Sequence, residues 1–286
     1  MSWHGYLALW CGAFGTLALL GYGRSLAGLT RAQRTVRVMG RIERVREPRD
    51  GSSQHDGISV VVSFHDPFTG QEFTVTNDRE HGEMVTTAWT GREIGVRYPR
   101  GMPHAFRFTS NLQAGRRGLG RPNFAVFLIY AGLVAAAAID WGWPWALFGF
   151  GGPWTVLFAC YLPANAREMS RRIDTLASSA VVPGRVIAVL KDFRTDEDGH
   201  TSTSRTPVVA FTTHEGMAVT AYCPTGLPDP AGSYGRDVAI HYTPADPAVF
   251  TPDLAAEHRT RRKDFVFSVV ALLIGVAALV VGAVAL

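Results

Sequence analysis

Catalytic sequence motifs and cysteine are both scarce in this chain. No HExxH, CxxC, P-loop, GxGxxG or GxSxG pattern occurs among the 286 residues. The three cysteines, Cys11, Cys160 and Cys223, share no motif spacing, which argues against a disulfide framework. We therefore expect a protein that is not an enzyme, with no catalytic residue, no cofactor and no bound metal.

Charged residues are also few, and long segments of the chain contain none. Charged residues make up 18% of the chain, against 47% hydrophobic residues. Crossing about 30 Å of hydrocarbon takes roughly 20 helical residues. Uncharged runs of this order occur at Tyr6–Gly23, Phe124–Ile139, Trp141–Ala166 and Phe265–Leu286. They predict transmembrane helices at 5–23, 122–140, 145–164 and 265–286.

The first and third of these runs each carry a further expectation. No Lys or Arg precedes the first run, which argues against a cleaved signal peptide and for a retained helix. The third run contains the segment Gly149–Pro153, whose glycines and proline predict a bent or loosened helix. Beyond the runs, Ser25–Thr35 and Ala166–Ala177 show helical spacing and fit either a linker helix or an interfacial helix.

Positive charge is absent outside two segments. All 28 Lys and Arg residues lie within 24–121 and 167–263, and they cluster beside the apolar runs. Because Lys and Arg near a span favour the cytoplasmic side, we expect a multipass plasma-membrane protein with both termini outside and both segments in the cytoplasm. The topology-determining residues are Arg24, Arg116, Arg117, Arg121, Arg171, Arg172, Arg261, Arg262 and Lys263.

The net charge of +4 bears on the partners of the protein. Arginines beside a membrane attract anionic headgroups, so we expect the juxtamembrane arginines to contact anionic lipids. No basic stripe interleaved with aromatic residues lies away from the apolar runs, which argues against nucleic-acid binding. The expected partners are thus the bilayer and either an unidentified protein or further copies of the chain.

A repeat organises the two charged segments. Gly91–Phe106 aligns with Gly235–Phe250 without a gap, at an offset of 144 residues. Such a period indicates a duplicated unit, with one β module at 36–110 and a second at 180–253. The residues that we expect to carry this structural repeat are Gly40, Gly91, Tyr98, Pro103, Phe106, Gly184, Phe211, Gly235, Tyr242, Pro247 and Phe250.

Each module shows the alternation and turn residues of about five short strands. Val36–Val45 and Val182–Leu190 alternate, and the glycine inside each predicts a bulge. Lys191–Arg205 is expected to be a polar loop, and Asn77–Thr90 has room for a short helix. The predicted fold is an α+β membrane protein with four transmembrane helices and two small antiparallel, barrel- or sandwich-like β domains, arranged as an internal TM–β–TM duplication.

The second module carries a family resemblance. Its Gly184, Pro207-Val208 and Phe211 are followed by a glycine turn at Gly216 and by Gly235 through Pro247, with Tyr242, Pro244 and Asp246 between them. This ordered set resembles the domain-of-unknown-function family numbered 3592. The resemblance implies an actinobacterial membrane protein in which β modules are flanked by transmembrane helices, and it implies architecture rather than chemistry. The first module departs from the pattern at 99–102, where Pro-Arg-Gly-Met replaces the second module's turn.

Three groups of polar residues remain as candidates for chemistry. Asp196–His200 lacks the spacing of an EF-hand loop and is interpreted as a solvated hairpin tip. His65–Asp66 and His214–Glu215 could each form a proton-transfer pair, although neighbouring side chains on a strand point to opposite faces. Asp140–Trp145, with three tryptophans, is typical of an interfacial anchor and also fits an external binding site.

The sequence therefore limits the classes of function but does not identify one. We expect a non-enzymatic integral membrane protein whose duplicated β modules mediate protein–protein or inner-leaflet interactions. The alternative is a transporter or channel subunit, with a pathway at the repeat or oligomer interface and Gly149–Pro153 as its discontinuity. A membrane enzyme that uses His65 or His214 is the third and weakest hypothesis.

Overall fold

The computed structural model shows an α+β protein that divides into two compact units. It describes residues 3–53, 57–77, 84–113, 117–177, 179–195, 201–223, 226–227 and 229–286. The helical unit comprises Met1–Arg34, Gly115–Arg171 and Thr260–Leu286. The β unit comprises Thr35–Ala114 and Arg172–Arg259. Both predicted modules therefore belong to one β unit.

Four long α-helices account for the apolar runs. Within the described chain they are α1 (Trp3–Leu26), α2 (Gly120–Trp141), α3 (Pro144–Ala177) and α4 (Leu254–Val284). Each is long and apolar enough to cross a membrane. α3 and α4 extend well beyond their uncharged runs, so Ala166–Ala177 continues a helix. After α1, residues 27–34 form turns, so Ser25–Thr35 is not a separate helix.

The helices approach one another at small residues. A Cβ placed on Gly132 would lie 2.9 Å from the Trp10 ring, and the Trp10 indole N–H donates to the Leu128 carbonyl at 2.9 Å. A Cβ on Gly275 would lie 2.6 Å from Thr155 Oγ1. Close backbone approach of this kind is the usual basis of helix association in a bilayer.

The glycine–proline run does not interrupt α3. Pro153 has no N–H to donate to the carbonyl four residues earlier, which belongs to Gly149. The Tyr130 hydroxyl of α2 donates to that carbonyl instead. Gly149 also faces Val134 so closely that a Cβ would clash. The predicted discontinuity is thus a continuous helix with a neighbouring side chain satisfying its free acceptor.

The first antiparallel sheet has five strands. They are β1 (Thr35–Val45), β2 (Val60–His65), β3 (Glu72–Thr76), β5 (Glu93–Pro99) and β6 (Arg107–Thr109), in the order β3-β2-β1-β5-β6. A single 3₁₀ turn, Pro103–Ala105, lies between β5 and β6. β1 is long because it pairs with β5 along its first half and with β2 along its second.

The second antiparallel sheet has six strands. They are β7 (Ala180–Thr195), β8 (Thr201–Thr212), β9 (Ala218–Tyr222), β10 (Asp237–Thr243) and β11 (Asp246–Thr251), joined by β4 (Thr87–Ala88), in the order β11-β10-β7-β8-β9-β4. The first five follow the same strand order as the first sheet. The sixth, β4, comes from the first module and pairs with β9.

One local prediction in this region is wrong, and a second is tested only in part. Lys191–Arg205 is largely a β-hairpin rather than a loop, because Lys191 pairs with Arg205 and the pairing continues to Thr195 and Thr201. In the described part of Asn77–Thr90 the chain is not helical, because Thr87–Ala88 completes the edge of the second sheet. Residues 78–83 of that segment lie outside the described part.

The sequence predicted a bulge at the glycine of each long strand, but in both sheets the bulge lies a few residues beyond it, and Gly40 and Gly184 pair in regular register with β5 and β10. The pairing of β1 with β2 shifts between Ile42 and Arg44, and that of β7 with β8 shifts between Val186 and Ala188. A Cβ on Gly40 would lie 2.6 Å from Val62 Cγ1. A Cβ on Gly184 would lie 2.6 Å from Ile240 Cγ1. Neither sheet can therefore accept a side chain at this point of its long strand.

The cores of the two modules are continuous. One buried cluster centres on first-module residues such as Ile42, Val60 and Phe64. The same cluster includes four second-module side chains, Ala188, Leu190, Val208 and Tyr222. In the other direction, Trp89 of the first module packs against the second-module cluster. A small module near the lower size limit for a stable core gains buried apolar area in this way.

Candidate functional site

The residues predicted to carry a structural repeat build strands, turns and core contacts. Tyr98 and Tyr242 are almost completely buried. Gly91 and Gly235 have φ of +90° and +74°, which favours glycine. Their N–H groups donate to the carbonyls of Ile42 and Val186, at 2.7 and 2.9 Å. These pairs anchor the start of β5 and β10 against the bulge of the long strand.

The remaining aromatic and proline residues of the predicted repeat lie in the core or at a turn. Phe211 is buried, with its ring centroid 5.8 Å from that of Tyr242 and 5.7 Å from that of Phe250. Phe106 and Pro247 are also buried, while Pro103 begins the 3₁₀ turn. None of the repeat residues converges on a shared polar site, so their described role is to build the fold.

A buried carboxylate, Asp66, lies beneath the β2–β3 turn. The sequence suggested it only as the partner of His65 and gave no sign of its burial. Asp66 is 4% exposed, and one carboxylate oxygen accepts from the Tyr98 hydroxyl at 2.9 Å and from the Phe68 N–H at 3.2 Å. The other oxygen accepts from the Thr69 hydroxyl at 2.9 Å. Asp66 therefore joins the β2–β3 turn to the end of β5.

The electrostatics of this pair follow from its hydrogen bonds. Burial alone would raise the pKa of Asp66, but the hydrogen bonds from Phe68, Thr69 and Tyr98 together hold it below its ordinary value. Burial, reinforced by the Asp66 carboxylate, raises the pKa of Tyr98 to about 12. At neutral pH the pair is thus an ionised carboxylate and a neutral phenol.

In the second module the hydroxyl of the buried tyrosine is hydrogen-bonded without a carboxylate. Thr213 replaces Asp66, since its N–H donates to the Met217 carbonyl as that of Asp66 donates to Gln71, both at 2.9 Å. The Tyr242 hydroxyl accepts from the His214 backbone N–H at 2.9 Å. The pKa of the adjacent Glu215 is lowered, chiefly by a hydrogen bond with its own backbone and then by the Thr213 hydroxyl.

The structure separates one of the two predicted proton-transfer pairs, His65 and Asp66. His65 is exposed while Asp66 is buried and already bonded to three donors, so the two point to opposite faces of the strand. His214 and Glu215 are both exposed at a turn. Asp196–His200 lies outside the described residues. Among those described, no group of three His, Cys, Asp or Glu side chains could hold a metal ion.

The two modules dock through the loop that follows β1. The Asp50 carboxylate accepts from the Val189 N–H at 2.8 Å, and the Gly51 N–H donates to the Val189 carbonyl at 3.0 Å. The Lys191 N–H donates to the Ser52 carbonyl at 2.9 Å. This loop, which the sequence marks only as rich in turn residues, forms a specific contact with β7.

A half-buried arginine lies at the β4 side of the same interface. The Arg92 guanidinium stacks 4.7 Å from the centroid of a Trp89 ring and donates to the Thr87 carbonyl. Burial lowers the pKa of Arg92, and the negative charge of Asp246 in β11 opposes that shift. Asp246, the acidic residue of the second module's proline turn, thus acts electrostatically on an arginine of the first module.

The basic residues that the sequence predicts to determine topology lie in or beside the charged parts of the helices. Arg24 is in the last turn of α1, and Arg117 and Arg121 flank the start of α2. Arg171 and Arg172 lie in the charged part of α3, and Arg261, Arg262 and Lys263 lie in that of α4. The Arg172 side chain pairs with Glu257 at 3.1 Å. Arg116 lies outside the described residues.

The opposite end of the helical unit carries the tryptophan turn. Trp141 and Trp143 are exposed, and the Trp141 and Trp145 ring centroids are 5.3 Å apart. Asp140 pairs with His4 of α1 at 3.3 Å. Exposed indoles beside a polar His–Asp contact suit a membrane–water boundary.

Comparison with known proteins adds no identification. No family model, no curated protein and no solved structure matches the chain. The resemblance to the family numbered 3592 therefore stays a prediction, and function must be argued from the residues of this chain alone.

Proposed function

We propose that the chain is a non-enzymatic, multipass protein of the plasma membrane whose β unit is an interaction module. In this proposal four helices span the bilayer, both termini are outside, and the β unit lies in the cytoplasm. The β unit binds a protein partner or the inner leaflet of the membrane. Two copies of a TM–β–TM unit of the family numbered 3592 make up the chain.

The observation that carries the proposal is the exposed apolar surface of the four helices. Large apolar side chains on them are exposed by more than half, with Leu19 at 74%, Phe267 at 71% and Leu9 at 63%. Soluble monomers rarely expose contiguous apolar area on this scale. A hydrocarbon environment around the helices accounts for it, since every backbone hydrogen bond of a helix is internal.

The charge of α3 and α4 supports the proposed orientation. In α3 the uncharged part runs to Ala166 and the first arginine is Arg167, whereas in α4 the charges end at Asp264. The charged ends are the ones continuous in sequence with β7 and β11. All connections between proposed spans and the β unit are therefore flanked by arginine, as expected for a cytoplasmic side.

The matched sheets support the proposed duplication. Five strands of each sheet follow the same order, and their bulges fall at positions 144 residues apart. The paired glycines that precede β5 and β10 make the same contact to the bulged strand. A single ancestral module explains these coincidences more simply than two independent origins.

Orientation is tested by labelling single cysteines in intact cells. In a variant without native cysteines, a membrane-impermeant maleimide should label Trp143→Cys in intact cells but Arg49→Cys only after permeabilisation. The tryptophan turn would be outside and the β1–β2 loop inside. Labelling of Arg49→Cys in intact cells would overturn the proposed orientation.

The interaction role is tested by capture from native membranes with full-length protein. Deleting one module is a poor test because Leu190 and Trp89 would lose the partner module that buries them. Gly184→Val, which places methyl groups against Ile240, should disrupt the β unit while leaving the spans in place. Proteins captured by the wild type and lost in this variant would support the protein-binding form of the proposal; identical sets would count against it.

A further inference from the structure

Three arginines stand directly opposite one another across the first sheet. Arg37 of β1 pairs with Arg97 of β5, and Arg97 pairs with Arg107 of β6. Like charges in directly opposed positions destabilise a sheet. A row of this kind concentrates positive charge along one line of the sheet.

The row lies on the outward face of the sheet. Its neighbours along the strands, among them Val36, Val96 and Phe108, are buried in the core, and side chains alternate between the two faces of a strand. Arg107 is exposed, while Arg37 and Arg97 are half-buried. One Arg37 guanidinium nitrogen donates to the Leu112 carbonyl, which fixes the orientation of that side chain.

An apolar tip adjoins the row at the end of the sheet. Two neighbouring turns present Phe68, 58% exposed, and Met102, 62% exposed. The Arg100 guanidinium stacks 4.2 Å from the centroid of the Phe68 ring. The Asp66–Tyr98 hydrogen bond ties the turn that carries Phe68 to the strand that leads to Met102, so the tip is held in place.

The second module has the same framework without these side chains. The positions that correspond to the arginine row hold Val181, His241 and Thr251, paired in the same register. Its β10–β11 turn ends in Asp246, which is exposed. The arginines and the apolar tip are therefore features of one module and are not required to build the sheet.

We infer that this surface of the first module docks on an anionic phospholipid bilayer. The docking surface consists of Arg37, Arg97, Arg100 and Arg107, with Phe68 and Met102 at its tip. Guanidinium groups bind headgroup phosphates, often in bidentate geometry, and the tip side chains enter the boundary between headgroups and acyl chains. The inference rests on the proposed membrane location and specifies the inner leaflet as a partner of the β unit.

Two observations favour a bilayer over a nucleic acid. Phosphate contacts alone would not require two exposed apolar side chains beside the arginines, whereas insertion into a headgroup layer does. β1 also begins nine residues after α1 ends, and a chain of that length reaches at most roughly 30 Å. The tether thus keeps this end of the sheet within reach of the surface that α1 is proposed to cross.

The inference is tested on the full chain in nanodiscs. An environment-sensitive dye on Ala105→Cys, in a variant without native cysteines, reports on the tip without replacing a docking residue. Its emission should shift to the blue in discs containing phosphatidylglycerol but not in phosphatidylcholine discs. Arg97→Gln/Arg107→Gln should weaken docking by roughly 25-fold, taking about a five-fold loss for each arginine at a charged membrane surface.

The control removes the same charge from exposed arginines elsewhere in the β unit. Arg44→Gln/Arg205→Gln should leave the blue shift unchanged. An equal loss in both double variants, or a shift that does not depend on anionic lipid, would overturn the inference. Loss of the shift on adding single-stranded RNA or inorganic phosphate at constant ionic strength would also overturn it, in favour of a nucleic-acid or a free-phosphate site.

Carbonate extraction distinguishes failure of the proposed membrane location from failure of the docking inference. Protein that alkaline carbonate extracts from membranes would contradict the proposed spans. Protein that resists extraction but shows no lipid-dependent shift would contradict only the docking inference.

Discussion

At the scale of single residues, the two modules differ most clearly in how they hold a buried tyrosine. Tyr98 donates to the ionised Asp66, whereas Tyr242 accepts from a backbone N–H. The sequence marks both tyrosines as equivalent members of a repeat. It does not show the difference, because the partner of each lies about thirty residues away in the chain and is set by the turn between two other strands.

Replacing each tyrosine by phenylalanine should separate the two arrangements. Tyr98→Phe removes a charged hydrogen bond, and we expect it to lower the free energy of unfolding by about 1.5–3 kcal/mol. Tyr242→Phe, the matched control, should cost less because it removes a neutral bond. Thermal unfolding of the detergent-solubilised protein, followed by circular dichroism, measures both. Equal effects would contradict the distinction.

The Asp66–Tyr98 pair also predicts how stability depends on pH. The folded-state pKa of Asp66 lies below its ordinary value, so its contribution is present above the unfolded pKa, about 3.9, and is lost as the pH falls through the folded pKa. Tyr98 is raised to about 12, so its contribution is present below about 10 and is lost as the pH rises through 12. Tyr98→Phe should weaken the acid dependence and remove the alkaline one. Unfolding midpoints across pH measure this, and unchanged profiles in the variant would contradict it.

At the scale of elements, two glycines of α3 that look equivalent in the sequence, Gly149 and Gly152, have different environments. Gly149 packs against Val134, whereas a Cβ on Gly152 would meet nothing within 4 Å. Among the described contacts of α3, only Gly149 of these two is a packing surface. In α1, a Cβ on Gly12 or Gly15 would likewise meet nothing within 4 Å, whereas Gly21 and Gly132 make the close contacts of α1 and α2.

Alanine at the two α3 positions should therefore have opposite consequences. Gly149→Ala forces Val134 and α2 away, and we expect a loss of about 1–3 kcal/mol. Gly152→Ala fills open space and improves helix propensity, so stability should stay the same or rise slightly. Thermal unfolding in detergent compares the two variants. A Gly152→Ala protein as unstable as Gly149→Ala would show that an unrecognised neighbour covers Gly152.

At the scale of the whole molecule, the β unit is assembled from both modules rather than from two independent domains. β4 of the first module completes the second sheet, and Leu190 of the second module lies in the core of the first. Elements that share a core unfold together in most small domains. We therefore expect one unfolding transition for the two modules.

A core substitution in one module should report on the other. Leu190 is 1% exposed, and Leu190→Ala should cost about 2–5 kcal/mol. Hydrogen exchange should then accelerate in β2 of the first module as well as in β7. Met39→Ala, at a half-exposed position on the outer face, is the control and should change neither. Faster exchange confined to the second module would contradict the shared core.

The sequence by itself determined the features that depend on periodicity and local composition. Four apolar helices and most strands of each module, including the two long ones, follow from uncharged runs, alternation and turn residues such as Gly91. These patterns act over a few neighbouring residues, so they can be read without knowing the fold. The charged extensions of α3 and α4 were harder to assign, since linker and interfacial helices share the same spacing.

Only the tertiary structure decided which distant segments meet. It brought the Asp50 loop to Val189, Thr87–Ala88 to β9, and Tyr98 to Asp66. It also aligned Arg37, Arg97 and Arg107 in one row, although 60 or more residues separate the first from the other two. The physical reason is that strand pairing and core packing join residues across loops of any length, and no local pattern records the partner.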